Sequence, residues 1–295
     1  MKGAKLQLAI MILLPPLGVI VGLGLAMTVG VSSLDLYLLL CFSLIALFGT
    51  EMLHRYFAHN SFQTSKPVEI CFAVMGLMAA NSGLPYWMVG HRHHHEFSDS
   101  ADDLHSPHID SGGNKKRLAG LFHAQIGWTF DISNPRNAVI SKEFRQKLTD
   151  PALLLIHKHQ MTCILLGLIF PAVLGGLISQ TWAGFFTGLL WGGFIRVFVS
   201  NLLIGAVNSV CHVYGTRPFR TKAGDCSANN HWLAIPTLGQ ALHNNHHAFQ
   251  NAAMLNFSWW HIDPAGYVLW LMQKLGLVWD LKRPSANRLE DRRLV

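Results

Sequence analysis

Four long apolar stretches constrain this chain more than any other feature of its sequence. They cover about residues 7–30, 34–53, 152–178 and 182–210. Each is close to the roughly 20 residues that a helix needs to cross the hydrocarbon core of a bilayer. The chain is 51% hydrophobic and only 13% charged, a composition typical of polytopic membrane proteins. We therefore predict an all-α membrane protein with four transmembrane helices arranged as two hairpins.

A fifth apolar segment, about residues 68–89, differs from the other four. It is interrupted by Asn81, Ser82, Gly83 and Pro85. Irregular backbone is tolerated at membrane depth only where other parts of the protein cover it. The interruptions therefore predict an interfacial or re-entrant helix and not a fifth crossing.

Lysine and arginine are unevenly distributed among the connections. The short connections at 31–34 and 179–181 contain neither residue. Basic residues lie instead at Lys2, Lys5, Lys115, Lys116, Arg117, Arg217, Arg220, Lys222 and along the tail from Lys282 to Arg293. Because positive residues mark the cytoplasmic side, we expect both termini there, with residues 54–151 and 211–295 forming a cytoplasmic helical cap. The chain would be a single domain, 1–295.

The remaining composition argues against two other roles. The net charge of +7 is explained by a solvated face beside anionic lipid headgroups. The sequence lacks the basic stripe interleaved with aromatic residues that would indicate a nucleic-acid partner. The five cysteines are odd in number and have no paired spacing. We therefore expect neither a disulfide framework nor thiolate ligands.

Nine of the 17 histidines form three clusters and one isolated position beside the apolar stretches. They are His54, His59, His91, His94, His95, His212, His243, His246 and His247. Imidazole is neutral near pH 7 and is a good ligand for iron, copper and zinc. The clusters contain no cysteine or carboxylate, which argues against structural zinc. The set predicts a nitrogen-rich metal centre suited to dioxygen activation.

The spacing within the clusters predicts two metal ions. The pattern His-x2-His-His begins at His91 and again at His243. Residues four apart share a helix face, so the first and last histidine of each pattern would bind one ion and the middle one another. His54 and His59 would diverge by about 140° on an α-helix and bind different ions.

The complete set of motifs is more specific than any one of them. In chain order they are His54-x4-His59, His91-x2-His94-His95, Asn208-x3-His212 and His243-x2-His246-His247, with Trp87, His123-Ala-Gln-Ile-Gly-Trp128 and Trp260-His-Ile-Asp263 between and after them. The set resembles the membrane di-iron fatty-acyl desaturases of the stearoyl-CoA (delta-9) type over about residues 35–283. One departure is the stretch from Asp102 to Lys116, which is longer than the short turn of that family.

The resemblance implies a role for individual residues. One iron would take His54, His91, His95 and His246, with Asn208 near it through water; the other would take His59, His94, His212, His243 and His247. His123 and His261 would support the ligands, and Leu38, Phe42, Trp87 and Arg196 would line a substrate tunnel. For Arg196 a structural partner is an equal alternative, since an unpaired charge in a span is costly. For Trp87 the alternative is an interfacial belt.

The resemblance also implies the reaction. Two iron ions with O2 as co-substrate would introduce a cis double bond into a saturated acyl thioester, at delta-9 of acyl-CoA. The same scaffold leaves open a hydroxylase, a terminal desaturase or an acetylenase, with acyl carrier protein thioesters as the alternative substrates. From another class, a histidine-rich metal transporter would need polar ligands along a path inside the spans, whereas these clusters lie at or beyond span ends.

The electron source follows from what the sequence lacks. The chain has no Gly-x-Gly-x-x-Gly loop, no iron-sulfur cysteine set and no fused haem motif. Electrons would come from a ferredoxin or cytochrome b5 with its reductase. Such carriers are usually acidic, so we expect them to dock on the basic surface that includes Lys115, Lys116, Arg117 and the Lys282–Arg293 tail.

Overall fold

The computed structural model describes residues 9–108, 113–131 and 134–294. Lys2, Lys5 and the start of the first predicted crossing at residue 7 lie outside the described residues. The chain divides into two compact units. The first unit comprises the chain up to Thr50, Ile70–Gly83 and Asp150–Leu202, and the second comprises Glu51–Glu69, Leu84–Thr149 and the chain from Leu203.

Four helices among the described residues are long and apolar enough to cross a membrane. They are span 1 (Met11–Thr28), span 2 (Ser33–Ala58), span 3 (Gln160–Ser179) and span 4 (Trp182–His212). Span 3 begins at Gln160 and not near residue 152, as the apolar stretch suggested. A separate helix, Pro151–Lys158, precedes it, because the polar run 157–159 interrupts the apolar pattern.

Three of the spans contain π-helical turns. Span 2 is α-helical over Ser33–Met52 and π-helical over Leu53–Ala58. Span 4 consists of Trp182–Gly188, a π-helical Leu189–Ile195, Arg196–Ser209 and a final 3-10 turn, Val210–His212. In span 1 a π turn, Ala9–Leu13, precedes the α-helix Leu14–Thr28. Such turns are rare and concentrate at functional sites.

The fifth apolar segment forms a short helix and an irregular turn. The helix Lys66–Met78 has 13 residues, fewer than the roughly 20 that a crossing requires. The chain then runs through the fully buried Ala79 and Ala80 to a π turn, Tyr86–Gly90. The helix is too short to cross a bilayer, and an interfacial or re-entrant position of the segment stays a prediction.

Arg196 binds the backbone at the C-terminal end of the helix Lys66–Met78, within the first unit. Its guanidinium donates to the carbonyl oxygens of Met78 (3.1 Å), Ala79 (3.0 Å), Gly167 (2.7 Å) and Gly192 (3.2 Å). The last carbonyls of a helix have no partner inside it, so the guanidinium caps the helix Lys66–Met78. A Cβ on Gly167 would lie 2.3 Å from the Met78 oxygen. These contacts correspond to the structural alternative for Arg196.

The second unit carries the shorter helices and a small sheet. The helices are His91–Phe97, Gly113–Gln125, Pro135–Lys147, His231–Ala234, His243–Ala248, Pro264–Lys274 and Ala286–Arg292, with a 3-10 turn at Gly127–Phe130. The strands Gln63–Thr64 and Val278–Trp279 pair antiparallel. Phe219, Leu242, Phe249 and Leu255 belong to its hydrophobic core.

A buried ion network ties the end of span 2 to the C-terminal part of the second unit. Arg55 donates to both carboxylate oxygens of Asp263, at 2.9 and 2.8 Å, and to Glu51 at 2.6 Å. Asp263 also accepts from the amide of Gly266, at the start of the helix Pro264–Lys274. Removing one partner of such a network would leave a buried charge uncompensated. The network therefore fixes the position of the first histidine cluster, which follows Glu51.

Candidate metal centre

All nine predicted ligand histidines converge in the second unit, where they form two groups. Within each group the ligand atoms lie within 4.8 Å of one another. The first group is His54, His59, His91, His95 and His246, and the second is His94, His212, His243 and His247. Every one of the nine side chains is buried.

The ring nitrogens in each group face one another. The Nε2 atoms are 2.9 Å apart between His54 and His246, 3.0 Å between His91 and His95, 2.8 Å between His95 and His246, and 2.9 Å between His212 and His243. The Nε2 atoms of His59, His94 and His247 are buried without a hydrogen-bond partner. Buried polar atoms normally have partners. Converging imidazoles with orphaned nitrogens fit a metal ion in each group.

The two His-x2-His-His patterns divide their histidines as the helical spacing predicts. On the helix His91–Phe97, His91 and His95 belong to the first group and His94 to the second. On the helix His243–Ala248 the assignment is reversed: His246 belongs to the first group, and His243 and His247 belong to the second. Each short helix thus contributes to both groups.

His59 is in the first group, whereas both the spacing and the resemblance place it apart from His54. The π turn is the reason. The amide of His59 donates to the carbonyl oxygen of His54, five residues earlier, at 3.2 Å, which makes the turn wider than an α-helical one. The two ring centroids are 5.1 Å apart. The divergence of about 140° holds for an α-helix, and this turn is not one; the assignment of the two histidines to different ions stays a prediction.

Carboxylates hold three of the four histidines in the second group. Nδ1 of His94 is 2.9 Å from Asp103, Nδ1 of His212 is 2.7 Å from Asp99, and Nδ1 of His247 is 2.8 Å from Asp225. A carboxylate on Nδ1 fixes the tautomer, leaves Nε2 free for a metal and makes the imidazole a stronger ligand. Sequence reasoning missed all three acids. The sequence did offer a signal for two of them. Asp99 and Asp103 follow the second cluster closely, and Asp103 lies in the stretch that is longer than the family's turn.

Electrostatics favour neutral rings in the first group and ionised carboxylates beside the second. Burial, followed by neighbouring histidines, lowers the pKa of His91 and His95 well below its ordinary value, so both rings are neutral near pH 7. Burial raises the pKa of Asp99, but its hydrogen bonds to His212, to the Ser106 hydroxyl and to the amide of Cys226 bring the pKa down to about 2. Burial also opposes ionisation of Asp103, yet His94 and His105 hold its pKa below the ordinary value.

The two predicted supporting histidines lie one step farther from the ligands. His123 Nε2 is 3.1 Å from the carbonyl oxygen of Leu104, the residue after Asp103. His261 Nδ1 accepts from the Asn245 side chain at 2.9 Å, and Asn245 lies on the third-cluster helix. These contacts are with neighbours of the ligands, and a supporting role for the two histidines stays a prediction.

The remaining predicted residues have different environments. Asn208 is half-buried in the helix Arg196–Ser209, and its contact through water stays a prediction. Trp87 is only 3% exposed, and its ring lies 5.8 Å from His54 and 5.4 Å from His91. Trp87 therefore packs on the first group and is not a surface belt residue.

Leu38 and Phe42 are both buried within the first unit. The Phe42 ring packs edge-to-face on Phe170, with centroids 5.8 Å apart. Leu38 lies close to Gly192: a Cβ added to Gly192 would be 3.3 Å from the Cβ of Leu38. A role for the two side chains in a substrate tunnel stays a prediction.

Residues 33–280 match the family model for fatty acid desaturase. The chain is 39% identical over 285 residues to a hex-5-enoyl-[acyl-carrier protein] acetylenase of Moorena producens, covering 96% of this chain and 87% of the relative. It is 34% identical over 249 residues to an acyl-CoA C20 Delta5-desaturase of Anemone leveillei, covering 83% and 73%. It is 31% identical over 239 residues to Delta-9 acyl-lipid desaturase 1 of Arabidopsis thaliana, covering 81% and 72%.

Proposed function

This chain belongs to the fatty acid desaturase family and is a membrane oxidoreductase, and on that basis we propose that it is an iron-dependent enzyme that uses O2 to introduce a cis double bond into a saturated acyl thioester. The observation that carries the proposal is the pair of buried histidine groups, each with ligand atoms gathered within 4.8 Å. Family membership removes the transporter alternative.

Each histidine group would hold one iron ion. Iron supplies the oxidising chemistry with O2 that no side chain can provide. The protein contributes the rest: neutral imidazoles as ligands, carboxylates that orient them, and burial that keeps bulk water away from the site. Asn208, four residues before His212, would reach the first ion through water.

We propose delta-9 of an acyl-CoA as the position and substrate of the reaction. Relatives named as acyl-CoA and delta-9 desaturases support this choice. The second candidate is a terminal desaturase or acetylenase acting on an acyl carrier protein thioester, favoured by the 39% identity over 96% of the chain to the Moorena acetylenase. A hydroxylase would need the same metal centre and differs only in its product.

Lipid analysis of a host that expresses the chain tests this proposal. Gas chromatography should show a new monounsaturated acyl chain with a delta-9 double bond, which a His94→Ala variant should not produce. A terminal double or triple bond on acyl carrier protein-linked chains would support the second candidate instead. Unchanged lipids with a well-folded, iron-loaded protein would contradict both.

We further propose that electrons enter beside His247. This side chain lines two basic clefts of the second unit, of about 520 and 420 Å³. The first cleft contains Lys282, Arg283, Arg288 and Arg292, and the second contains Arg220, Lys222 and Arg292. Among the described residues that line the clefts, Asp291 is the only acidic one.

The positive charge of the clefts is poorly neutralised. Lys282 donates to the carbonyl oxygen of Asn60 at 2.6 Å, Lys222 to that of Glu96 and Arg292 to that of Ala248. These partners are backbone dipoles and not carboxylates. The clefts therefore present a basic surface to an acidic electron carrier, and complementary charge speeds such encounters.

The position of His247 distinguishes an electron port from a substrate entrance. His247 contributes to the walls of both clefts and also belongs to the second histidine group. A buried imidazole in that position would pass electrons to the metal and would block an acyl chain. The Lys282–Arg293 part of the predicted dock lies here. Arg117 instead stacks on Tyr214, 5.0 Å from the ring centroid, and the side chains of Lys115 and Lys116 are outside the described part.

We propose that both termini and the metal centre are cytoplasmic, from the absence of basic residues at 31–34 and 179–181. A cysteine placed at Ser33 should react with an impermeant reagent only from outside the cell. Labelling of residues 61–65 from that side would overturn this orientation.

A further inference from the structure

We infer that the two metal positions are unequal: Asp99, Asp103 and Asp225 make the second histidine group bind its ion more tightly and favour a higher positive charge on it than the first group does. The inference deepens the proposed function and rests on it only in requiring that both groups bind metal. The three aspartates orient and polarise His94, His212 and His247.

The three aspartates are themselves held in place. Asp99 accepts from the Ser106 hydroxyl at 2.7 Å and from the amide of Cys226 at 2.8 Å. Asp103 accepts from the amide of Asp99 at 2.9 Å, and Asp225 accepts from the amide of Ser227 at 2.8 Å. Because each carboxylate is fixed by hydrogen bonds from elsewhere in the protein, each holds its histidine in one orientation.

The first group has no comparable carboxylate among the described residues. Its nearest is Glu51, whose Oε2 lies 3.7 Å from His54 Nδ1, too far for a hydrogen bond. That same oxygen accepts from Arg55 at 2.6 Å. The Nδ1 atoms of His54 and His95 are buried without a hydrogen-bond partner.

A cation lies beside the first group instead. Arg92, on the helix His91–Phe97, donates from Nε to the carbonyl oxygen of Ala58, next to His59. Three buried carboxylates thus contact histidines of the second group, whereas a guanidinium lies near the first. The three carboxylates make the imidazoles that they hold stronger ligands and so favour cation binding at the second group.

Metal retention tests this inference without measuring activity. The full chain, loaded with iron in detergent micelles, is challenged with an excess of a chelator, and the iron remaining per chain is followed over time. We expect two phases, one ion leaving quickly from the first group and one slowly from the second. Mössbauer spectra of the protein loaded with the appropriate iron isotope should show two distinct environments.

Isosteric variants assign the slow phase. In Asp225→Asn the neutral amide can still accept a hydrogen bond but lacks the charge, so the slow phase should accelerate by about 10–100-fold and one Mössbauer component should change. Asp99→Asn applies the same test to a second ligand, His212. The matched control is Asp102→Asn, an exposed residue paired with Arg136 at 2.7 Å, which should alter neither phase.

The outcomes separate this inference from the proposed function. Loss of both ions from the wild-type protein in a single phase would overturn the inequality while leaving the two-metal enzyme intact. Equal acceleration of both phases in Asp225→Asn and Asp99→Asn would also overturn it. A folded protein that binds no iron would instead contradict the proposed function.

Discussion

The backbone amide of His59 donates to the carbonyl oxygen of His54 at 3.2 Å. This π-type bond returns His59 to the side of the helix that carries His54, and both rings join the first histidine group. The end of span 2 therefore contributes two imidazole rings to the first histidine group. A regular α-helix would direct the two rings apart.

We predict that alanine at any of the nine clustered histidines lowers iron content or abolishes turnover, because each substitution removes a converging ring nitrogen. The matched control is His93→Ala. His93 lies beside His94 on the same helix but is half-buried against Phe97, with centroids 4.8 Å apart. Iron per chain and product formation measure the effect. Equal sensitivity of His93 and His94 would show that the helix register at the second cluster is wrong.

The convergence of the nine histidines and the four spans could be predicted because both leave short-range patterns in the sequence. A crossing requires an apolar run of fixed length, and ligands on a short helix recur four residues apart. The π turn at His54 leaves no such pattern. Neither do long-range contacts such as His212 with Asp99, which are 113 residues apart in the chain.

Arg196 shows a second reason for incomplete prediction. The sequence marks it as a costly charge within a span and offers no acidic partner. Its partners are backbone carbonyls, and a carbonyl carries no residue-specific signal. Only the folded chain shows that the Arg196 guanidinium and these carbonyl oxygens are hydrogen-bond partners.

We predict that Arg196→Met destabilises the protein without altering its substrate preference. The substitution leaves buried carbonyl oxygens, including those of Met78 and Ala79, without a donor, at about 1–3 kcal/mol each. The melting temperature in detergent should fall by several degrees, while Arg117→Met, at an exposed position, should change it little. An unchanged melting temperature with a shifted acyl-chain profile would indicate a substrate contact instead.

We predict that Phe42→Ala lengthens the preferred acyl chain. The resemblance places this side chain at the methyl end of the substrate, and removing its ring from beside Phe170 opens space there. Competition between acyl thioesters of different lengths measures the shift. Leu36→Ala, at an exposed position of span 2, is the control. A folded, iron-loaded Phe42→Ala enzyme with the wild-type profile would remove Phe42 from the tunnel.

We predict that turnover driven by a reductase and an acidic carrier weakens as salt rises, because screening reduces the attraction of the carrier to the basic clefts. Arg288→Gln should have the same effect, whereas Lys147→Gln should not, since Lys147 is paired with Glu143. A single turnover after chemical reduction should be unaffected in both variants. A carrier-driven rate indifferent to salt and to Arg288→Gln would contradict docking at these clefts.

The most direct test of the central claim is product analysis with purified protein. The iron-loaded chain is supplied with O2, a reduced carrier and a saturated acyl-CoA, and in parallel with the matching acyl carrier protein thioester. Mass spectrometry should find a cis double bond at delta-9 of the acyl-CoA, and none when O2 is omitted or when His94 is replaced by alanine. A folded protein that holds iron in both groups but leaves both thioesters saturated would contradict the account.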